Sequence, residues 1–148
     1  MTRYSLRVII RILAFGMLSV AGIVMTSRSA VAQNVILPDD SLGEETSVVQ
    51  SFREDVDFIL GGAKRGENLF HSFEEFNIDE FNGAYFTFPI GLIDNVFARV
   101  TGENSSEILG VLGTLEISEN FQRFSSEANL YLINPNGIIF GENSSLAI

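Results

Sequence analysis

The sequence predicts an all-β chain wound as a solenoid. From Phe58 onward it breaks into short apolar runs separated by Gly, Asn, Asp and Ser. Helical periodicity is almost absent, with single turns conceivable only at 55–60 and 119–127. Finally, Gly-Glu-Asn-Ser-Ser occurs twice, at Gly102–Ser106 and Gly141–Ser145, 39 positions apart. Recurrence within 20–50 residues is the mark of solenoids, propellers and arrays.

The chain opens with Arg3, Arg7 and Arg11, then runs fourteen residues without a charge, Ile12 to Met25, and reaches Ala30-Val31-Ala32. A basic start, an apolar stretch and a small-x-small site describe a cleaved signal peptide, cut after Ala32. Fourteen residues are too few for a spanning helix, which needs about 20. No stable membrane insertion is therefore expected once residues 1–32 are removed.

Removal of that segment leaves five basic residues, Arg53, Lys64, Arg65, Arg99 and Arg123, against 19 acidic ones, a net of −14. Such a balance excludes nucleic acid, which is bound through a basic face. There is no cysteine. An exported chain without disulfides rests on packing and backbone pairing alone.

Residues 33–55, with Asp39, Asp40, Glu44 and Glu45, read as an acidic, solvated leader, and residues 56–148 as the solenoid. Within the latter, Asn95–Val100 alternates, with Val96, Ala98 and Val100 on one face and Asn95, Phe97 and Arg99 on the other. That is strand periodicity. Ile108–Ile117, interrupted by Gly110 and Gly113, reads as two short strands or one with a bend. Asn129–Ile133, Gly137–Phe140 and Leu146–Ile148 complete the set. Phe70, Phe73, Phe76, Phe81, Phe86 and Phe88 crowd one segment and are expected in the core and cap.

Asn134-Pro135-Asn136-Gly137 is a well-specified type I turn, because Pro presets φ at its second position. Between apolar runs such a turn closes a hairpin or, in a solenoid, makes a corner. The recurrence of Asn104 and Asn143 favours the corner, since stacked amides satisfy one another. On that reading 39 residues are two coils of about twenty each.

Three stretches carry a family resemblance: Arg65–Ile78 (RGENLFHSFEEFNI), Asn95–Gly110 (NVFARVTGENSSEILG) and Asn129–Gly141 (NLYLINPNGIIFG). In this order they resemble successive motifs of the filamentous haemagglutinin N-terminal domain, the secretion domain of two-partner secretion exoproteins. The matching positions are Asn68, Leu69, Phe70, Phe76 and Asn77, then Arg99, Val100, Thr101 and Gly102, then Asn134, Pro135, Asn136, Gly137 and Ile138. A second Asn-Pro-Asn motif that the family often carries is replaced here by Phe88–Ile93.

The resemblance implies a right-handed parallel β-helix with an N-terminal cap, incomplete at the C-terminal end because the family's domain continues through further coils. It also implies export by the general secretory route and recognition in the periplasm by a dedicated outer-membrane transporter. The Asn134–Ile138 corner is implied to matter for that recognition. The parent protein would be a secreted or surface adhesin, meeting a host or neighbouring cell through regions beyond Ile148.

No cofactor or metal is called for. His71 is the sole histidine, so zinc sites and nucleophile–base pairs cannot be assembled, and it is expected to be a structural hydrogen-bonding residue. Gly61–Gly66 lacks the Gly-Lys-Ser/Thr ending of a phosphate loop and reads as a turn ahead of the first coil. A β-helix polysaccharide-active enzyme needs an acid cluster with a basic residue, and only Arg99 and Arg123 lie among the coils. A periplasmic β-sandwich binding module would instead pair 129–133 with 137–140 antiparallel. Strand pairing therefore decides between sandwich and solenoid.

Overall fold

The structure is a computed structural model and describes residues 33–148. The signal-peptide reading of 1–32 lies outside the described residues. Among the described residues there are thirteen strands and one short 3-10 helix.

The first four strands are β1 (Val35–Pro38), β2 (Ser47–Arg53), β3 (Val56–Gly61) and β4 (Ala63–Arg65). Three of them form the cap, because β1 and β4 pair antiparallel with β5 (Asn68–Asn77) and β2 pairs antiparallel with β3. The stretch read as a solvated leader thus holds β1, the 3-10 helix Asp40–Glu45 and β2, so that expectation is corrected. Its polar side chains are used in hydrogen bonds to the coils, which apolar periodicity cannot show. The possible helical turns are likewise strands, β3 and a short hairpin strand near 123.

Winding starts at β3 and continues through β5, β6 (Gly83–Pro89), β7 (Asn95–Val100), β8 (Ser106–Ile108) and β9 (Val111–Ile117). After the hairpin strand β10 (Arg123–Ser125) come β11 (Asn129–Ile133), β12 (Ile138–Phe140) and β13 (Ser145–Ala147). The sheets run up the stack: β5, β7 and β11 in parallel; β3, β6, β9 and β13 in parallel; and β8 with β12, joined by a bridge from Ile78 to Ile108. This is a β-solenoid of about three turns. Asn129–Ile133 pairs in parallel with Asn95–Arg99, so the hairpin expected of a sandwich is not formed.

Coil length departs from expectation. Asn95 follows its partner Asn68 by 27 residues and Asn129 follows Asn95 by 34, in place of about twenty. The repeated pentapeptide does not mark the period. Gly102–Ser106 leads from β7 into β8, whereas the second copy leads from β12 into β13, so the two copies occupy different corners. The second coil is longer because the β9–β10 hairpin is inserted in it.

Rows of side chains fill the interior: Leu69, Val96 and Leu130 in register on one sheet, Ala84, Leu112 and Leu146 on another. Phe73, Phe76 and Phe86 are completely or almost completely buried, with Phe73 edge-on to Phe76 at 5.0 Å and Phe76 parallel to Phe86 at 5.9 Å. The expectation for the Phe cluster fails at Phe81, which is 85% exposed. In the last coil Phe140 and Leu146 occupy inward register positions, over Ile108 and Leu112, yet remain more than half exposed with no coil above them in the described chain.

Candidate functional site

The family-motif residues fall at both ends of the β5, β7 and β11 sheet and in the core beneath it. The sheet of β5, β7 and β11 begins each strand with an asparagine. Asn95 donates Nδ2–H to Asn68 Oδ1 at 3.0 Å, and Asn129 donates to Asn95 Oδ1 at 3.1 Å. The amide ladder expected of Asn104 and Asn143 is therefore built by other asparagines. Asn104 turns instead to Glu75 and Asn143 to Glu80, each at 2.8 Å, because their corners do not stack on each other.

Two residues along, the outward ring row repeats the pattern. Phe70 stacks on Phe97 at 5.1 Å and 13°, and Phe97 on Tyr131 at 4.7 Å and 9°. The rings lie face to face along the stack, so their edges face solvent. Leu69 is buried beneath, in register with Val96. Phe76 is core, and Asn77 Oδ1 accepts the Glu107 amide at 2.9 Å.

Arg99 and Thr101 tie the second coil to the cap. Arg99 donates Nε–H to Ser72 Oγ at 2.9 Å and an Nη2 hydrogen to Ser41 Oγ at 2.8 Å. Both hydroxyls in turn donate to the Asp39 carboxylate, and Thr101 joins them at 2.6 Å. Burial alone acts to raise the Asp39 pKa, but the bonds from Ser41, Thr101 and Ser72 outweigh it and hold the carboxyl well below the usual carboxylate range. Val100 is buried, and Gly102 passes so close to the first coil that a Cβ there would sit 2.2 Å from the Glu74 carbonyl oxygen.

The Asn134–Gly137 corner closes as expected, with the Gly137 amide donating to the Asn134 carbonyl at 3.1 Å. Asn134 Oδ1 also accepts the Asn136 amide at 2.9 Å. Both side-chain amides then reach down one coil. Asn134 donates to the Asn104 carbonyl and to Ser106 Oγ, each at 3.0 Å, and Asn136 to the Gly102 carbonyl at 2.7 Å. Pro135 is exposed at the corner, and Ile138 begins β12 in register with Ser106. The second and third motifs thus form one contact, the newer corner clasping the older.

Ser41, Ser72 and Asn129 were not singled out from the sequence, and Asp39 was read only as part of the acidic leader. Asn129 had a signal: Asn68-Leu-Phe70, Asn95-Val-Phe97 and Asn129-Leu-Tyr131 are the same tripeptide pattern at the true coil period. Asp39 and Ser41 had none, being indistinguishable from other acidic-leader residues.

His71 is buried with Nδ1 2.9 Å from Ser47 Oγ, facing the Phe86 ring at 4.9 Å. Burial pushes its pKa down to about 4, which leaves it neutral at pH 7. The two coil arginines are both engaged, Arg99 in the cap bridge and Arg123 over the rings of Phe52 and Phe58 at 4.2 and 4.6 Å.

Fold and site together define a capped β-solenoid whose motif residues join one coil to the next and to the cap. A family model, the TPS (two-partner secretion) secretion domain, matches residues 34–148, and the chain belongs to that family. The family is a secretion-targeting domain of exported exoproteins and not an enzyme family. Comparison with curated proteins and with solved structures gives no match.

Proposed function

We propose that this domain directs an exoprotein to its outer-membrane two-partner transporter, whose periplasmic domains recognise the solenoid edge carrying the Asn134–Ile138 corner. Residues 1–32 act as the signal peptide for passage through the general secretory route. The exported product is a secreted or surface adhesin, and the domain's work is targeting rather than catalysis. What carries the reading is the clasp of Asn134 and Asn136 on the Gly102–Ser106 corner, which gathers two family motifs into one surface feature.

The clasp separates fold from recognition. Asn134 is half-buried and closes the turn from within, whereas Asn136 is exposed and spends its amide on one carbonyl. Replacing Asn136 by Ala removes one exposed hydrogen bond, a loss of about 1 kcal/mol. Binding of the protein, purified from the periplasm of a transporter-free host, to the purified periplasmic domains of the partner transporter tests the reading. Asn136→Ala is expected to weaken binding while the protein stays folded. Unchanged binding would show the corner to be dispensable.

A further inference from the structure

We propose that Phe81 and Phe121 are aromatic anchors by which the transporter's periplasmic domains grip this domain, an inference that rests on the transporter reading above. Among the described residues these are the two non-glycine residues with positive φ, 65° at Phe81 and 59° at Phe121. They are also the two most exposed large apolar side chains among the described residues, at 85% and 86%. Single exposed apolar residues are ordinary. A bulky side chain at positive φ is not, and here both features coincide twice.

Each Phe occupies the position where its turn calls for glycine or asparagine. The Asn82 amide donates to the Asp79 carbonyl at 3.2 Å, closing a turn in which Phe81 is third, the place that requires positive φ. In the β9–β10 hairpin the Phe121 amide donates to the Ser118 carbonyl at 2.9 Å, and the Ser118 amide to the Gln122 carbonyl at 3.0 Å. Phe121 is the left-handed residue that completes such a loop, again a glycine position. Asn at either site would relieve the backbone and remove apolar surface. Core packing, turn chemistry and solubility all oppose Phe, which leaves presentation of the ring as its use.

The placement indicates the partner's chemistry. Phe81 precedes β6 and Phe121 follows β9, and these strands pair in parallel from Gly83–Val111 to Pro89–Ile117. The rings therefore stand beyond opposite ends of one sheet, about 20 Å of strand apart. Asp79 and Glu80 flank one ring and Glu119 the other, in a domain of strongly acidic balance. The fitting surface has two apolar pockets, each wide enough for a phenyl ring and rimmed by Lys, Arg or backbone N–H groups.

The test compares wild type, the double variant Phe81→Asn/Phe121→Asn and the double variant Phe81→Tyr/Phe121→Tyr, each purified from the periplasm. Thermal denaturation and binding to the transporter's purified periplasmic domains are read for all three. The Asn pair is expected to melt at or above the wild-type temperature yet bind at least about tenfold more weakly, while the Tyr pair binds within about threefold of wild type. Wild-type binding that the Asn pair retains would overturn the anchors and leave the transporter reading standing. No binding by wild type would overturn both. If the Asn pair instead loses only a concentration-dependent self-association, the rings serve a second copy of this chain and the proposal fails.

Discussion

At the scale of single residues, the cap and coils are joined by charge carried through hydroxyls. Asp39 and Arg99 act on each other through Ser41 and Ser72, of which Ser72 is fully buried. Asp39→Ala leaves a buried hydroxyl without its acceptor and is expected to cost about 1–3 kcal/mol. A double-mutant cycle with Arg99→Ala should return a coupling of at least about 0.5 kcal/mol. Additive losses in denaturant unfolding would mean that the bridge carries no energy. His71 makes a separate, pH-dependent contribution. Its folded pKa of about 4 lies below the ordinary 6.5, so between those values the unfolded chain binds the extra proton. Stability from this site is therefore complete above pH 6.5 and declines as pH falls toward 4, by up to about 3 kcal/mol. Asp39, with its carboxyl held low, adds its loss only at still lower pH. Unfolding curves of wild type and His71→Gln across pH 4–7 should show that slope only in wild type.

At the scale of elements, the ladder at the start of β5, β7 and β11 fixes the register of the stack. A slip of one residue would turn Val96 and Ala98 out to solvent and bring Phe97 and Arg99 inward. Asn95 is the middle rung, giving one amide bond and accepting another. Asn95→Ala should cost about 1–3 kcal/mol in thermal or denaturant unfolding, and Asn129→Ala, which breaks only the upper rung, less. Much of this level was legible beforehand. The alternation in Asn95–Val100 and the corner at Asn134–Gly137 stand in the structure, and Ile108–Ile117, read as two short strands or one with a bend, breaks at Gly110 but runs unbroken through Gly113. What escaped reading has physical causes. A pentapeptide suited to any tight corner recurs wherever a corner is needed, so it gave a false period, whereas the Asn-x-aromatic triplets recur because amides and rings must meet one coil apart. The resemblance implied a cap, but its strands within 33–55 were hidden because short antiparallel strands with mostly polar, exposed side chains lack an apolar rhythm. Phe81 was misplaced because composition cannot tell a ring kept inside from one held out by its backbone.

At the scale of the whole molecule, the first and last described coils differ. Antiparallel cap strands cover the first coil, whereas among the described residues β11, β12 and β13 pair only with the coil below, and Phe140 and Leu146 are more than half exposed. Each coil buries its apolar row against its neighbour, as in repeat proteins generally. Order is therefore expected to spread from the cap toward β13, with the motif clasp closing only once the third coil has folded onto the second. On the proposed function, the clasp is the feature by which the export partner would read that neighbouring coils are wound in register. The most direct measurement is secretion of the full-length chain in cells with and without the two-partner transporter. The account predicts that the protein reaches the medium only when the transporter is present, and that Asn136→Ala leaves it in the periplasm in folded form. Release that does not depend on the transporter, or retention in the periplasm despite a functioning one, would contradict it.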